Sequence, residues 1–384
     1  MKPIEADVVI IGGGGAGCSA ALHLARRGTR VILLERGMTG SQATGVNYGG
    51  VRQQGRHPAE LPIARRSREI WGRLSDWIGT DAEFRPTGHL KLARNDNEEA
   101  DLVAYLDVAR QHDLPLEMLR RHELHQRYPW LSPGVQAGSF AADDGCANPR
   151  LLGPAIARAA REAGADIREH HPVRSCQFEN DRFIVEIEGA TTRFHAPVLI
   201  NSAGFWGGSI AARFGEPVPC APLSPNMFVT EPIRFFIEPN LGVVGGDVYL
   251  RQIERGNVII GAGRGENDAE RGWSRPLPEA TLHGMQKALS LVPALSGVQV
   301  IRSWTGIDGN LPDKIPVLGP SLTTPGLFHA FGFSGHGFQL GPAVGAILCE
   351  LILDGRTDIP LEAFRTDRFG TADAPPAPTP SHAS

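Results

Sequence analysis

Apolar residues along the chain fall into unbroken runs, alternating stretches and helical repeats, and the changes between these patterns mark most of its elements. The segment Asp7-Val-Val-Ile-Ile11 is a β-branched run, as expected of a strand buried on both faces of a parallel sheet. Over residues 18–27 apolar positions recur at helical spacing (Ala21, Leu22, Leu24, Ala25), Gly28 ends that helix, and Arg30-Val-Ile-Leu-Leu34 predicts a second strand. Further strands are predicted over residues 83–93, 136–141, 248–252 and 257–261, with Arg255-Gly256 as the hairpin turn between the last two. Helices are predicted over 97–112 and 152–163, the second closed by Gly164. Residues 326–345 read as a strand, a glycine-rich turn and the start of a last helix. The Ala/Pro/Ser-rich tail, 372–384, is expected to be disordered.

The first 35 residues form a complete βαβ unit, and its turn is Gly12-Gly-Gly-Gly-Ala-Gly17. Gly12, Gly14 and Gly17 satisfy GxGxxG. The first permits the tight turn, the second lets backbone N–H groups approach a pyrophosphate, and the third lets helix and strand pack closely. The helix N-terminus adds positive potential for phosphates. Glu35 follows Gly17 by 18 residues at the end of the second strand, where a carboxylate accepts hydrogen bonds from ribose hydroxyls and repels a 2′-phosphate. These positions predict dinucleotide binding. They leave open whether the dinucleotide is FAD or NAD.

Composition narrows the class further. With 41% hydrophobic and 21% charged residues the chain is ordinary globular, and 384 residues suit two interleaved domains. A formal charge of −4 and pI near 6.4, with scattered Lys and Arg, argue against nucleic acid as a partner. Cys18, Cys146, Cys176, Cys220 and Cys349 lie far apart, so no metal site or redox pair is expected, and they read as structural thiols of a reducing compartment. The run at 344–353 is interrupted by Glu350 and falls short of the ~20 residues of a membrane span, so a cytoplasmic location is expected.

Three later segments resemble the D-amino-acid oxidase superfamily, in particular its glycine oxidase and sarcosine oxidase branch, and the resemblance covers nearly the whole chain. Val198-Leu-Ile-Asn-Ser-Ala-Gly-Phe-Trp206 looks like the second flavin-domain motif. Asp143-Asp-Gly-Cys-Ala-Asn-Pro-Arg-Leu151 is similar to the segment leading back into the flavin domain, and the Ser334-Gly-His-Gly-Phe338 turn resembles the loop over the isoalloxazine. The resemblance implies an α/β fold with α+β mixing: a Rossmann-type FAD-binding domain (1–83, 143–218 and 311–371) interleaved with a mostly antiparallel β-sheet substrate domain (84–142 and 219–310). It implies FAD, held noncovalently, although His57 is a position for covalent attachment. The cofactor would be held by Gly12, Gly14, Gly15, Ala16, Gly17, Glu35 and Arg36, by Ala43, Thr44, Gly49, Gly50 and Val51, and by Val173, Ser202, Ala203, Gly204 and Trp206. Gly306, Gly335, His336, Gly337, Phe338 and Gln339 complete the set.

The activity so implied is oxidation of the C–N bond of an amino acid or secondary amine of the D-amino acid, D-hydroxyproline or opine class, by hydride transfer to flavin N5, with the imine then hydrolysing. Arg52 holds either the flavin ring or a substrate carboxylate, Tyr249 binds carboxylate or amine, and Arg251, two residues along the same strand face, joins it. His336 contacts substrate or tunes the flavin. Departures from the branch matter. Asp308 stands where glycine oxidases carry an arginine, and either binds a cationic group of a larger substrate or caps a turn. Gln339 replaces a carboxylate-binding lysine of the monomeric sarcosine oxidases. The chain's four lysines, Lys2, Lys91, Lys287 and Lys314, include none on the strand where those enzymes keep an oxygen-activating lysine.

These departures point to a dehydrogenase resembling the flavin subunits of opine oxidase and D-hydroxyproline dehydrogenase, which pass electrons to partner subunits with iron–sulfur centres. The alternatives are a stand-alone oxidase that makes hydrogen peroxide, and a flavin subunit without a catalytic pocket.

Overall fold

The computed structural model describes residues 3–370, so the tail at 372–384 lies outside the described residues. Strand Val8–Ile11 is buried at all four positions because each of its faces has its own cover. Val8 and Ile10 share a core with Leu22, Ile156, Leu340 and Val344 from helices Gly15–Arg26, Pro149–Glu162 and Gly337–Leu353. Val9 and Ile11 share another with Val185 and Phe194 of a four-stranded sheet on the opposite side. A strand covered on both faces must be apolar at every position, and this one is.

Val8–Ile11 is central in a six-stranded sheet of order Val317–Pro320, Leu327–Phe331, Val198–Asn201, Val8–Ile11, Val31–Leu34, Asp166–Arg168. All neighbours are parallel except the first pair. The last helix, Gly337–Leu353, rests directly on the first. A Cβ on Gly345 would stand 2.3 Å from Ser19 Oγ, and that hydroxyl donates to Pro342 O at 2.9 Å. The glycine loop and the Ser334-Gly-His-Gly-Phe338 turn are thereby brought to one end of the sheet.

The second large sheet has eight strands, in the order Val300–Trp304, Pro225–Pro232, Asn257–Arg264, Val248–Gln252, Asn240–Val243, His89–Ala93, Ala137–Ala141, Glu117–Arg120. It is antiparallel except where Asn240–Val243 lies parallel to His89–Ala93. The strand expected over 83–93 is shorter, because Arg85 instead bridges to Cys146 and only His89–Ala93 joins the sheet. Helix Asp96–Gln111 and the Arg255-Gly256 turn, with Gly256 at φ +94°, fall where the pattern put them.

One face of this sheet is apolar and carries Leu90, Leu92, Leu241, Leu250 and Ile260. Strand alternation puts the intervening residues on the other face. The register lines them up in a row across the sheet: Lys91 opposite Gly242, Gly242 opposite Tyr249, Tyr249 opposite Gly261, and Gly261 opposite Met227. Among the described residues no helix is long and apolar enough to cross a membrane.

Candidate active site

The glycine loop is built by close approach of backbone to backbone. Gly12 stands at φ +105°, and a Cβ there would lie 2.4 Å from Ser202 O. A Cβ on Gly17 would lie 2.1 Å from Gly12 O, so the first helical turn seats on the end of the strand. Gly14 is open by contrast: its nearest neighbour would be Thr44 Oγ1 at 3.4 Å. The loop is braced from outside, since Gly15 N–H donates to Thr44 Oγ1 at 2.9 Å. Glu35, 7% exposed, accepts the N–H groups of Gly13 and Gly37, both at 2.7 Å.

A cavity of about 1140 Å³ runs from this loop to the polar face of the eight-stranded sheet. Its volume exceeds the roughly 300–1,000 Å³ usual for small-ligand sites, and so has room for a dinucleotide and a small second ligand. Gly12, Gly14, Gly15, Ala16, Glu35, Arg36, Ala43 and Thr44 line it, as do Gly50, Val173, Ser202, Ala203, Gly204 and Trp206. Gly306, Gly335, His336, Gly337 and Phe338 complete the expected set on its walls. Arg36 lies over the Trp206 ring, 3.7 Å from its centroid, and Trp206 Nε1 donates to Ala269 O. Gly17, Gly49 and Val51 stand behind the wall. Gly49 passes Ala147 O too closely for a side chain, and Val51 is buried in the strand pair with Gly145. His57 is exposed and outside the cavity, its Nδ1 accepting from Ala59 N–H.

Among the residues expected to act on substrate, Arg52, Tyr249, Asp308 and His336 meet in the cavity. Arg251 and Gln339 do not. Arg251 shares a strand face with Tyr249 but turns under Tyr48, where its Nε donates to Tyr48 O at 2.9 Å. Gln339, one residue past the lining Phe338, is rotated by the helix into the interior, where its Nε2 donates to Ala64 O at 2.8 Å.

Tyr249 owes its position to Gly261. A Cβ on Gly261 would lie 2.0 Å from the Tyr249 ring, so the ring covers the glycine directly across the strand pair, and its edge meets Tyr48 with centroids 4.8 Å apart. Burial and the nearby Asp308 push the Tyr249 phenol up, and Arg52 pulls it down less strongly. Burial also pushes Asp308 up to about 6, against the N–H groups of Gly335 and Gly309, the latter donating to Oδ1 at 3.0 Å. His336 Nδ1 lies 2.8 Å from Glu60 Oε1. Burial, with Arg56 beside it, pushes this imidazole down to about 4, so the neutral ring donates from Nδ1 and keeps Nε2 as an acceptor.

Beyond these, the cavity gathers residues that the sequence reading did not select as site residues: Tyr48, Arg56, His89, Lys91 and Asn240. The signal for Lys91 lay in His89-Leu-Lys-Leu-Ala93, where polar residues alternate with leucines. A central strand with one apolar face turns its polar face toward something other than core.

The family described as DAO, FAD dependent oxidoreductase, matches residues 7–351. Glycine oxidase of Geobacillus kaustophilus is 26% identical over 370 residues, covering 94% of this chain and 97% of the relative. One of the subunits of opine oxidase from Rhizobium meliloti is 28% identical over 382 residues, covering 96% of this chain and 99% of the relative. Among solved structures, L-proline dehydrogenase of P. horikoshii superposes with a TM-score of 0.87 at 29% identity, covering 96% of this chain and 98% of that one.

Proposed function

Because the chain belongs to the DAO family of FAD-dependent oxidoreductases, whose members among its relatives oxidise amino acids and amines, we propose that it acts on an amino acid with a secondary amine, of the D-hydroxyproline or opine class. The residues fit FAD: the Gly12–Gly17 cradle has no room for side chains at its ends and an open face at Gly14, and Glu35 is fixed at the end of the second strand. When bound, FAD supplies the two-electron acceptor for the oxidation.

One observation carries the reading of substrate: Asp308 and Arg52, opposite in charge, both line the cavity and both act on the Tyr249 hydroxyl. An α-amino acid presents the matching pair. Arg52 spends one N–H on Gln54 O at 2.6 Å and keeps others for a carboxylate. Asp308 accepts the Gly309 N–H at Oδ1, and its carboxylate is an anionic acceptor for the substrate ammonium. A carboxylate raised to about 6 is ionised at neutral pH yet basic enough to take a proton from that ammonium, leaving the amine lone pair free. His336 Nε2 adds a neutral acceptor. Electrons then pass to a partner protein, a role supported by the likeness to one component of a multi-subunit opine oxidase.

The test is to add D-amino acids, N-alkyl amino acids, D-hydroxyproline and opines to the yellow protein without oxygen and follow bleaching of the flavin band. Bleaching by secondary amines alone is expected, with slow recovery in air. Bleaching by primary D-amino acids only overturns the substrate reading, and rapid recovery in air with peroxide overturns the partner.

A further inference from the structure

His89 opens the strand His89–Ala93 and shares its polar face with Lys91. It is 4% exposed and lines the cavity. A relay of buried side chains fixes which of its nitrogens carries the proton. Gln54 Nε2 donates to Ser139 O at 3.0 Å and to Ser139 Oγ at 2.6 Å, and because a carbonyl oxygen can only accept, the amide turns its NH2 group to Ser139. Gln54 Oε1 therefore faces His89 Nδ1, 2.8 Å away, and that nitrogen must donate. Asp144 Oδ2 steadies the same glutamine by accepting its backbone N–H at 3.0 Å. Burial, with Arg52, Lys91 and Arg56 beside it, holds the imidazole well below its ordinary range, so the ring is neutral. Nε2 is left with a lone pair and no proton.

That nitrogen stands over Gly242. A Cβ there would lie 3.0 Å from His89 Nε2, so a side chain at this position would cover it. Gly242 also lines the cavity, and it is the cross-strand partner of Tyr249. Such partners lie about 5 Å apart, which puts Nε2 within roughly 10 Å of the Tyr249 Cα, a span that one amino-acid ligand can bridge. Among the described residues Nε2 has no hydrogen-bond partner, and it is not sealed in protein as His23 Nε2 is.

The chemistry of the wall selects what can meet this nitrogen. Three neighbouring cations, Arg52, Lys91 and Arg56, repel an ammonium, and the lone pair repels a carboxylate. A neutral donor remains. Lys91, pushed down to about 8 by burial and Arg52 and still cationic at neutral pH, adds a donor to the same wall. A hydroxyl both donates and accepts, and so suits the pair.

Resting on the reading of the cavity as a site of amino-acid oxidation, we propose that His89 is a specificity residue whose Nε2 accepts a hydrogen bond from a hydroxyl on the substrate's carbon skeleton. Gln54 is its positioning residue. Asp308 and Arg52 meet the amino and carboxylate groups that every amino acid carries, whereas His89 reads a group that only some carry. A ligand without the hydroxyl fills the cavity and leaves Nε2 unpaired, which is the basis of the discrimination.

The probes carry an ether oxygen in place of the amine and cannot be oxidised at nitrogen. Each of two pairs differs by one hydroxyl: tetrahydrofuran-2-carboxylate with its 4-hydroxy derivative, and 2-methoxypropanoate with 3-hydroxy-2-methoxypropanoate, all stereoisomers included. They are titrated into the FAD-loaded protein by calorimetry and by the flavin spectrum. In at least one pair the hydroxylated ligand is expected to bind about tenfold tighter or more. His89→Phe keeps a ring over Gly242 and removes the lone pair, so the hydroxylated ligand should fall to the affinity of its partner, itself changed less than threefold. Gln54→Leu releases the tautomer and should lower the same preference severalfold, an effect that a purely structural glutamine would not have. Equal affinities within both pairs in the native protein, or no binding of any probe, overturns the proposal. So does a preference that survives His89→Phe, or that survives Gln54→Leu should the first variant not fold. The matching amines, proline with 4-hydroxyproline and N-methylalanine with N-methylserine in both configurations, are added without oxygen to separate the two claims. A preference among the probes with no bleaching by any amine leaves the hydroxyl site and removes the reaction. Bleaching without preference does the reverse.

Discussion

Glu35 and Gly13, 22 residues apart, are joined by a 2.7 Å hydrogen bond in which the Gly13 N–H donates to Oε2. The residue expected to greet a ribose is therefore also a brace for the loop that meets the phosphates. Oε1 braces the other side through Gly37 N–H. Replacing Glu35 by Ala frees two N–H groups and removes the acceptor. The expected result is FAD binding weaker by roughly ten- to a hundredfold, the worth of one or two charge-assisted hydrogen bonds, read as the flavin-to-protein absorbance ratio after dialysis.

The glycines of the loop should separate by role. Gly17→Ala places a methyl 2.1 Å from the Gly12 carbonyl, a backbone atom that cannot swing aside, and a loss of roughly 3 kcal/mol or more is expected in denaturant unfolding. Gly14→Ala meets only Thr44 Oγ1 at 3.4 Å, so the apoprotein should unfold within about 1 kcal/mol of the native one. Its FAD affinity should nevertheless fall severalfold. Equal unfolding of the two variants would contradict the assignment.

Asp308 gives the reaction a pH dependence of known sign. Its carboxyl is raised to about 6, so acidification from neutrality protonates it and removes the acceptor proposed for the substrate ammonium. kcat/KM for flavin reduction should fall about tenfold per unit below that value. Asp144 is raised by burial to about 6 as well, but it stands behind the cavity wall on backbone N–H groups. Asp308→Asn should lower the rate and abolish the limb; a limb that survives the substitution assigns it elsewhere.

Tyr249 and Gly261 form one unit. Tyr249→Phe removes a hydroxyl and leaves the ring over the glycine, so FAD content should hold while KM rises severalfold. Gly261→Ala drives a methyl into that ring and should lose FAD-loaded protein, a flattened thermal transition being the first sign.

Much of the fold was legible because its signals are local. The βαβ unit is spelled by an apolar run, three spaced glycines and a following carboxylate, and each has a backbone reason visible in the sequence. The charge-bearing cavity was legible in part. Strand parity put Tyr249 and Arg251 on one face, but parity does not say which side chain reaches the cavity, and Arg251 is taken by Tyr48 O. Helical rotation likewise carries Gln339 away from its lining neighbours. Lys91 lines the cavity near Arg52 and Gly55, which arrive from another segment, so no window along the chain contains all three.

The parallel pairing of Asn240–Val243 with His89–Ala93 sets the timetable of assembly. The seam of the eight-stranded sheet cannot close until residue 243 has left the ribosome, and the Gly337–Leu353 helix that covers the glycine loop follows later still. The early strands therefore gain their partners only late in synthesis, and non-local pairing of this kind slows folding and leaves strand edges open in the meantime.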